Sequence, residues 1–217
     1  MDEFDLEVIS CKSCKRLIEY ADGVKENGRK AGYEKEEYWC KPVPSFGPIN
    51  AELLIVGLAP GTHGAGRTGR PFTGDYAGEL LYQTLYDFDM SNKSESLNNE
   101  DNLELKNARI SNAVRCAPPN NKPTTEEVNN CSNFLIEEIC MMKNLKSILA
   151  LGGLAHRAVL RTMSLKQSEY PFSHGAEHEL DGIEWKLIDS YHPSRYNLNT
   201  GRLNAEMFKD VFEVLKR

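Results

Sequence analysis

Short apolar runs alternate with amphipathic segments along most of the chain after residue 51. Each apolar run is bounded by glycine or polar residues, a pattern typical of strands buried in a sheet. The segments that follow repeat apolar residues at helical spacing, so the order strand–helix occurs four times. Strands are predicted at 52–57, 108–116, 146–153 and 184–194, and helices at 76–88, 124–142, 154–163 and from Thr200 onward. Thr124 or Thr125 is the predicted cap of the second helix, with Glu127 near the capping-box position, and Thr200 is the predicted cap of the last.

This alternation predicts an α/β fold with a mostly parallel sheet and helices on both faces. In such sheets the loops beyond the carboxyl ends of the strands carry the working residues. Residues 1–50 read as an irregular lead-in, because the prolines of WCKPVPSFGPIN exclude a long helix. No internal repeat is visible, and we expect one domain over residues 1–217. The loops at the carboxyl ends are GLAPG, CAPPNNKP, GGLAH and HPSR.

Composition narrows the class of protein. A hydrophobic share of 40% and a charged share of 27% are ordinary for a globular protein. No run of 18 apolar residues occurs, and the acidic start MDEFDLEVIS is unlike a secretory signal, so we expect a cytoplasmic protein without membrane contact. The net charge of −6 argues against a wholly basic nucleic-acid binder, but a local positive strip is compatible with it. Its candidate members are Arg67, Arg70, Arg195 and Arg202.

Six cysteines suggest a metal site, because disulfides are rare in the cytoplasm. Cys11 and Cys14 form a C-x-x-C pair. Cys140, within FLIEEICMM, reads as a small buried apolar residue, and Cys40 receives no role. Spacing alone leaves an iron–sulfur cluster and a structural zinc ion as open alternatives.

The glycine-rich segment GTHGAGRT has the spacing of a Walker A phosphate loop, with Arg67 in place of lysine. A true phosphate loop ends where a helix begins, but Pro71 and two glycines prevent a helix from continuing here, and the next helix begins near Tyr76. Arginine also cannot simply replace lysine in such a loop, because it is not the compact charge that lysine places on the terminal phosphates. The segment therefore does not predict a nucleotide hydrolase.

Four segments together resemble the uracil-DNA glycosylases, and most closely their family 5 (type B) branch. They are GLAPGTHGAGRTGRPFTGD, YWCKPVPSFG, NAVRCAPPNNKP and HPSRYNLNTGRL, which span residues 38–203. The resemblance implies a three-layer α/β/α sandwich with a central four-stranded, mostly parallel sheet. It also implies a monofunctional prokaryotic repair enzyme, acting as a nucleoid-associated monomer, that excises uracil and other deaminated bases such as hypoxanthine or xanthine from DNA. A metal-bearing nucleic-acid binding protein without catalysis is the alternative, and a sliding-clamp partner cannot be read from the sequence.

The resemblance further implies one 4Fe–4S cluster with a structural role. Its ligands would be Cys11, Cys14, Cys116 and Cys131, which match the family's pattern of a C-x-x-C pair followed far downstream by two more cysteines. Structural zinc remains the alternative cofactor.

Several residues match the family's site. Phe72 would stack on a flipped base, the alternative being a core plug beneath the loop. His192 would donate a hydrogen bond to the leaving base. Ala59 stands where many relatives place a residue that directs water, so Asp75, otherwise a helix N-cap, is the candidate for that role.

Further residues complete the expected site. Asn112 would read the edge of the base, or else pair backbone groups at its strand end, and Asn121 would contact base or water. Gly57 and Gly61 would bring the backbone close to the substrate. The predicted DNA contacts are Arg67, Arg70, Pro193, Ser194, Arg195 and Arg202.

Overall fold

The computed structural model describes residues 3–215 and contains one mixed sheet flanked by helices. The strands are β1 (Leu53–Gly57), β2 (Ala108–Asn112), β3 (Ser147–Leu151), β4 (Glu177–Glu179) and β5 (Lys186–Ser190). The helices are α1 (Glu3–Ser10), α2 (Lys15–Asn27), α3 (Ala65–Thr68), α4 (Tyr76–Asp87), α5 (Thr125–Met141), α6 (Gly153–Thr162), α7 (Arg195–Asn199) and α8 (Ala205–Leu215), with a 3-10 turn at Pro119–Asn121.

The sheet has five strands in the order β2-β1-β3-β5-β4, rather than the expected four. The four predicted strands are parallel, and β4 pairs antiparallel with β5 at the edge. The sequence of β4, EHE, is short and polar, so it lacks the apolar pattern that identifies a buried strand.

Strand residues alternate between two hydrophobic layers, as the period of two requires. Leu53 and Ile55 of β1 face the layer that α4 and α8 cover, whereas Leu54 and Val56 face the layer that α5 and α6 cover. The α/β/α arrangement is therefore confirmed. None of the described helices is long and apolar enough to cross a membrane.

The first residues of the helices show which local sequence signals predicted a helix start correctly. Thr124 caps α5 through a capping box with Glu127, as predicted: Thr124 Oγ1 accepts from Glu127 N at 3.2 Å, and Thr124 N donates to Glu127 Oε2 at 2.7 Å. Thr200, expected to cap the last helix, instead ends α7. The α8 helix begins later, and Asn204 Oδ1 accepts from Met207 N at 2.8 Å.

Two other predictions are wrong. The lead-in is not irregular throughout, since α1 and α2 occupy much of it, and Phe4, Val8 and Leu17 are buried. The prolines that suggested irregularity lie after residue 41, downstream of both helices. Cys140 is exposed on α5 rather than buried, because it lies on the solvent side of that helix.

Candidate active site and cysteine site

A cavity of about 560 Å³ opens at the carboxyl ends of the parallel strands. The loops after β1, β2, β3 and β5 all contribute to it, as expected for an open parallel sheet. Its walls include the predicted residues Ala59, Gly61, Phe72, Asp75, Asn112, Asn121, His192, Ser194, Arg195 and Arg202. Segments far apart in the chain thus supply one site.

Gly57, at the end of β1, permits close packing in this site. A Cβ there would lie 2.5 Å from Asn112 Oδ1 and 2.7 Å from Phe72 Cζ. Gly57 and Asn112 are register partners on adjacent strands, so the amide projects directly beside the glycine. Any side chain at Gly57 would displace the two groups expected to contact a base.

Phe72 adopts a backbone conformation that is rare for a bulky residue. Its φ is 52°, in the left-handed region, which costs free energy and is typical of functional sites. The helix α4 holds it there, because a Cβ at Gly78 would lie 1.8 Å from Phe72 O. Phe72 is only 6% exposed and packs on the core as well as lining the cavity. Phe72 is therefore both a core residue and a wall of the cavity, and its stacking on a base stays a prediction.

His192 follows β5 and lies beside Phe72, with ring centroids 5.9 Å apart. Burial lowers the pKa of His192 to about 4, so its imidazole is neutral at pH 7. Its backbone is fixed by Asn197 Nδ2, which donates to His192 O at 2.8 Å. A neutral ring can still donate one hydrogen bond into the cavity.

Asp75 is the N-cap of α4, where Oδ1 accepts from Gly78 N at 3.1 Å. The second oxygen, Oδ2, faces the glycine loop: a Cβ at Gly64 would lie 2.6 Å from it, and one at Gly61 would lie 3.7 Å away. Burial raises the pKa of Asp75 above its ordinary value. The capping role is confirmed, and one carboxylate oxygen remains directed at the loop.

The two asparagines sit in different surroundings. Asn112 is 3% exposed at the end of β2, whereas Asn121 is exposed in the loop after β2 with a φ of 55°. Asn112 therefore forms a fixed part of the wall. Asn121 reaches the cavity from a surface loop.

The four predicted arginines divide into two pairs. Arg195 and Arg202 are exposed at the cavity rim and lie over aromatic rings, 4.8 Å from the centroid of Tyr76 and 4.6 Å from that of Tyr191, respectively. Among the residues described, neither has a carboxylate within 4.0 Å. Their charges are thus available to an external anion.

Arg67 and Arg70 differ from the rim arginines. Arg67 pairs with Glu36, and Arg70 Nη1 lies 2.7 Å from Asp101 Oδ1, with side chains only 10% and 7% exposed. Neither lines the cavity. Both guanidinium groups are already paired and largely covered, which disfavours the predicted contacts with DNA phosphates.

The predicted metal-binding cysteines line one small cavity on the other side of the β1 loop. Cys11 and Cys14 lie between α1 and α2, Cys116 follows β2, and Cys131 lies on α5. Two donors approach their sulfurs: Asn130 Nδ2 is 3.7 Å from Cys14 Sγ, and Arg115 N is 3.3 Å from Cys131 Sγ.

A buried ionic network holds two of these cysteines in place. Glu138 of α5 accepts from Arg109 Nε at 2.6 Å, Ser111 Oγ at 2.7 Å and Arg115 Nη2 at 2.6 Å. Burial would raise the pKa of Glu138, but Arg115 and Arg109 lower it to about 2. The network ties the strand that leads to Cys116 to the helix that carries Cys131.

The cysteine site requires positive charge before its thiols can ionise together. Burial and the neighbouring thiols raise the pKa of Cys116 to about 12, and burial raises that of Cys131. Thiolates are ligands of both structural zinc and iron–sulfur clusters, so the donor set fits either group.

Comparison with known proteins agrees with this geometry. Residues 44–216 match the family model described as the uracil DNA glycosylase superfamily. The chain belongs to this superfamily. It is 44% identical to the type-5 uracil-DNA glycosylase of Thermus thermophilus, over 100% of this chain and 97% of that protein. It is 42% identical to that of Pyrobaculum aerophilum, over 100% and 91%, and 40% identical to that of Mycobacterium leprae, over 99% and 94%.

The expected type-5 glycosylase branch is thus confirmed. The other predicted site residues lie in and around the cavity as follows. Ala59 lines the cavity and also packs against the cysteine site. Ser194 caps α7 by accepting from Asn197 N at 3.3 Å, whereas Pro193 is buried and lies outside the cavity lining, as does Gly57.

Sequence reasoning missed four aromatic residues of this glycosylase site. Tyr76 and Tyr191 support the rim arginines, Phe172 lines the cavity, and Tyr196 is 72% exposed on α7. An aromatic residue directly after Arg195 was a usable signal for Tyr196. Nothing local marked Phe172, which lies in an irregular segment before β4.

Proposed function

We propose that this protein hydrolyses the N-glycosidic bond of uracil in DNA and leaves an abasic site for base-excision repair. The observation that carries this proposal is the single cavity that joins Phe72, Asn112 and neutral His192 beneath two unpaired rim arginines. A base inside a duplex is out of reach of such a cavity, so the nucleotide must flip out to enter it.

The cavity suits a flipped pyrimidine. Phe72 supplies an aromatic surface for stacking, worth about 1–3 kcal/mol per base. The Asn112 amide both donates and accepts, which matches the edge of uracil, and its burial fixes its direction. The backbone on either side of Gly57 permits both groups to meet one base.

Bond cleavage places negative charge on the leaving base and positive character on the sugar. Neutral His192 donates a hydrogen bond to the base anion without having to lose a proton. Asp75 Oδ2 orients or deprotonates the attacking water, or stabilises the sugar cation, from the side of the glycine loop. Asn121 contacts base or water from the opposite loop.

The rim binds the DNA backbone. Arg195 and Arg202 neutralise phosphates near the flipped nucleotide, and these contacts give affinity without sequence preference. Exposed Tyr196 lies next to Arg195, where an aromatic ring can enter the gap that the flipped base leaves in the stack.

Other deaminated bases are further proposed substrates. The cavity of about 560 Å³ is larger than a single pyrimidine ring requires, and Ala59 and Gly61 place no bulky side chain in it. Hypoxanthine and xanthine carry two fused rings and the same kind of carbonyl edge. We therefore expect slower excision of these purines beside that of uracil.

The cysteine site fits one 4Fe–4S cluster held by Cys11, Cys14, Cys116 and Cys131. Four thiolates are the ligand set of such a cluster, and N–H groups directed at sulfur are usual around it. The match of these four cysteines to the family's pattern, a C-x-x-C pair followed far downstream by two more cysteines, favours the cluster over zinc. When bound, the cluster supplies a structural cross-link between the α1–α2 segment and the loop after β2.

Two further expectations accompany this function. The protein acts on DNA as a monomer, and it works in the cytoplasm, associated with the nucleoid of a prokaryote. A catalytically inactive, metal-bearing binding protein is disfavoured, because Asp75, His192 and Phe72 are all present at the cavity.

The decisive experiment uses a labelled oligonucleotide with one uracil, incubated with the protein and then treated with alkali. Strand cleavage at the uracil position is expected, with weaker cleavage for hypoxanthine and xanthine. Protein that releases none of the three bases would refute the enzyme. Broad visible absorbance of a brown protein tests the cluster, and a colourless protein with one zinc per chain would refute it.

A further inference from the structure

A buried group of three titratable side chains lies beside the base cavity and has no part in the chemistry above. His156 of α6, Asp189 of β5 and His178 of β4 place their ligand-type atoms within 4.8 Å of one another. His156 Nδ1 is 2.7 Å from Asp189 Oδ1, and His178 Nε2 is 2.9 Å from Asp189 Oδ2. His156 and Asp189 are 1% and 0% exposed.

Both ring nitrogens of His156 have a hydrogen-bond partner. His156 Nε2 lies 2.8 Å from Tyr170 O, and a carbonyl oxygen can only accept, so this nitrogen carries a hydrogen. The other ring nitrogen faces a carboxylate oxygen, which also accepts. Both ring nitrogens of His156 are thus hydrogen-bonded, one to Tyr170 O and the other to Asp189 Oδ1.

The same carboxylate fixes the segment 170–176. Asp189 Oδ2 accepts from Ser173 N at 3.4 Å, and the backbone of Asp189 exchanges hydrogen bonds with Gly175 N at 2.8 Å and Ala176 O at 3.0 Å. The bond from His156 to Tyr170 O holds the start of the segment. Side-chain hydrogen bonds from His156 and Asp189, together with backbone bonds to β5, thus fix the path of this stretch.

Phe172 connects the group to the active site. It lies within the fixed segment, lines the base cavity and packs edge-on against His156, with ring centroids 5.6 Å apart. Its ring also approaches that of Tyr191 at 6.1 Å, and a Cβ at Gly153 would contact its ring at 3.4 Å. One wall of the cavity is therefore supported by a buried hydrogen-bonded pair, His156 and Asp189.

We propose that His156, Asp189 and His178 are positioning residues that hold Phe172 as a wall of the base cavity and thereby set which bases are excised. The inference rests on the proposed glycosylase function and assigns base selection within it. Loss of the network lets Phe172 retreat. A two-ring base then gains access relative to uracil.

The test compares single-turnover excision of uracil and hypoxanthine. Asp189→Ala and His178→Ala are expected to raise the ratio of the hypoxanthine rate to the uracil rate by roughly 5- to 10-fold. Asp189→Asn is expected to change it less than about 2-fold, because the amide donates to a neutral His156 and its carbonyl still accepts from His178. Glu177→Gln, on the exposed neighbour of His178, is the control.

A double-mutant cycle with Phe172→Ala tests the route. The effect of His178→Ala on the ratio should disappear in that background, because the wall is already absent. If wild type does not excise hypoxanthine, new hypoxanthine excision in His178→Ala gives the same support. His178 is at the edge of the network, so this variant provides the answer if Asp189→Ala fails to fold.

Three results would overturn the inference. Equal loss of both rates would assign the network to stability alone. An unchanged ratio in a folded His178→Ala would show that the wall is held by other contacts. If the wild type contains one divalent metal ion per chain and His178→Ala lacks it, the three residues bind a metal ion rather than one another. A wild type that excises no uracil would instead refute the proposed function.

Discussion

The base cavity and the cysteine site lie on two sides of the β1 loop, and they treat charge in opposite ways. In the cavity, burial lowers the pKa of His192 to about 4 and raises that of Asp75, so both shifts oppose ionisation. The cysteine site gathers four thiols whose joint ionisation requires a cation. Ala59 contacts both regions.

Under the function proposed above, the difference follows from the ligand of each region. Charge develops in the cavity only during the reaction. It is stabilised best by hydrogen-bond donors and dipoles that already point at its position before the reaction begins. A metal cluster is a permanent charge, and its ligands are stable only when it is present. The following predictions test this contrast, from the largest expected effect to the smallest.

Removing one thiol should abolish the cysteine site. Cys116→Ser is expected to lose all iron and the brown colour, because three thiolates cannot complete the ligand set. Iron analysis and visible absorbance measure this. Cys140→Ser is the matched control, since Cys140 is exposed and is not one of the proposed ligands. Full iron in Cys116→Ser, or equal loss in Cys140→Ser, would contradict the ligand assignment.

Asp75 should matter for rate beyond its helix cap. Asp75→Asn keeps a good N-cap but removes the carboxylate, so single-turnover excision of uracil should fall by about 10²- to 10⁴-fold. Asp75→Ala should lose similar activity and also about 1 kcal/mol of stability. Full rates in both variants would leave Asp75 with the cap alone.

The pH dependence of the reaction provides a second test of Asp75. Its carboxylate is the active form, and burial raises its pKa, so the rate should rise with pH through a value above the ordinary range of aspartate. This acid limb should vanish in Asp75→Asn. A pH–rate profile under single-turnover conditions measures both.

His192→Gln should reduce uracil excision by about 10²- to 10³-fold, because the donor to the base anion is displaced. Stability gives an independent readout. The folded pKa of about 4 lies below the ordinary value of 6.5, so the unfolded chain binds more protons between these values. The free energy of unfolding should therefore fall as the pH drops from 6.5 to 4, and less so in His192→Gln.

The rim arginines should affect binding rather than cleavage. Arg195→Ala and Arg202→Ala should each weaken DNA binding and reduce the salt dependence of log K by about one unit of slope. Arg67→Ala is the matched control, and it should leave the slope unchanged because Arg67 is paired with Glu36. Titrations at several salt concentrations decide between these outcomes.

The smallest effect should come from the connection between the two regions. Arg16 follows the C-x-x-C pair, binds both Glu127 oxygens and donates to Lys122 O at 3.3 Å, in the loop that carries Asn121. Arg16→Lys loses the two-pronged contact, so uracil excision should fall only a few-fold. An effect as large as that of Asp75→Asn would mean that the regions act as one unit.

Much of the fold was visible in local patterns. The four parallel strands and the capping box at Thr124 were predicted, because period, apolar runs and caps are short-range signals. The edge strand β4 and the exposure of Cys140 were not, because both depend on neighbours distant in the chain. Thr200 carried a cap signal that the end of α7 overrode.

For this protein, the sequence by itself determined the four parallel strands, the residue types of the site and the family, since each is carried by contiguous segments. Only the tertiary structure separated Arg195 and Arg202 from Arg67 and Arg70, four residues of one type that a sequence treats alike. It also placed Phe172 against the buried, hydrogen-bonded pair of His156 and Asp189. Whether a charge is paired or free depends on which segments meet, and long-range packing decides that.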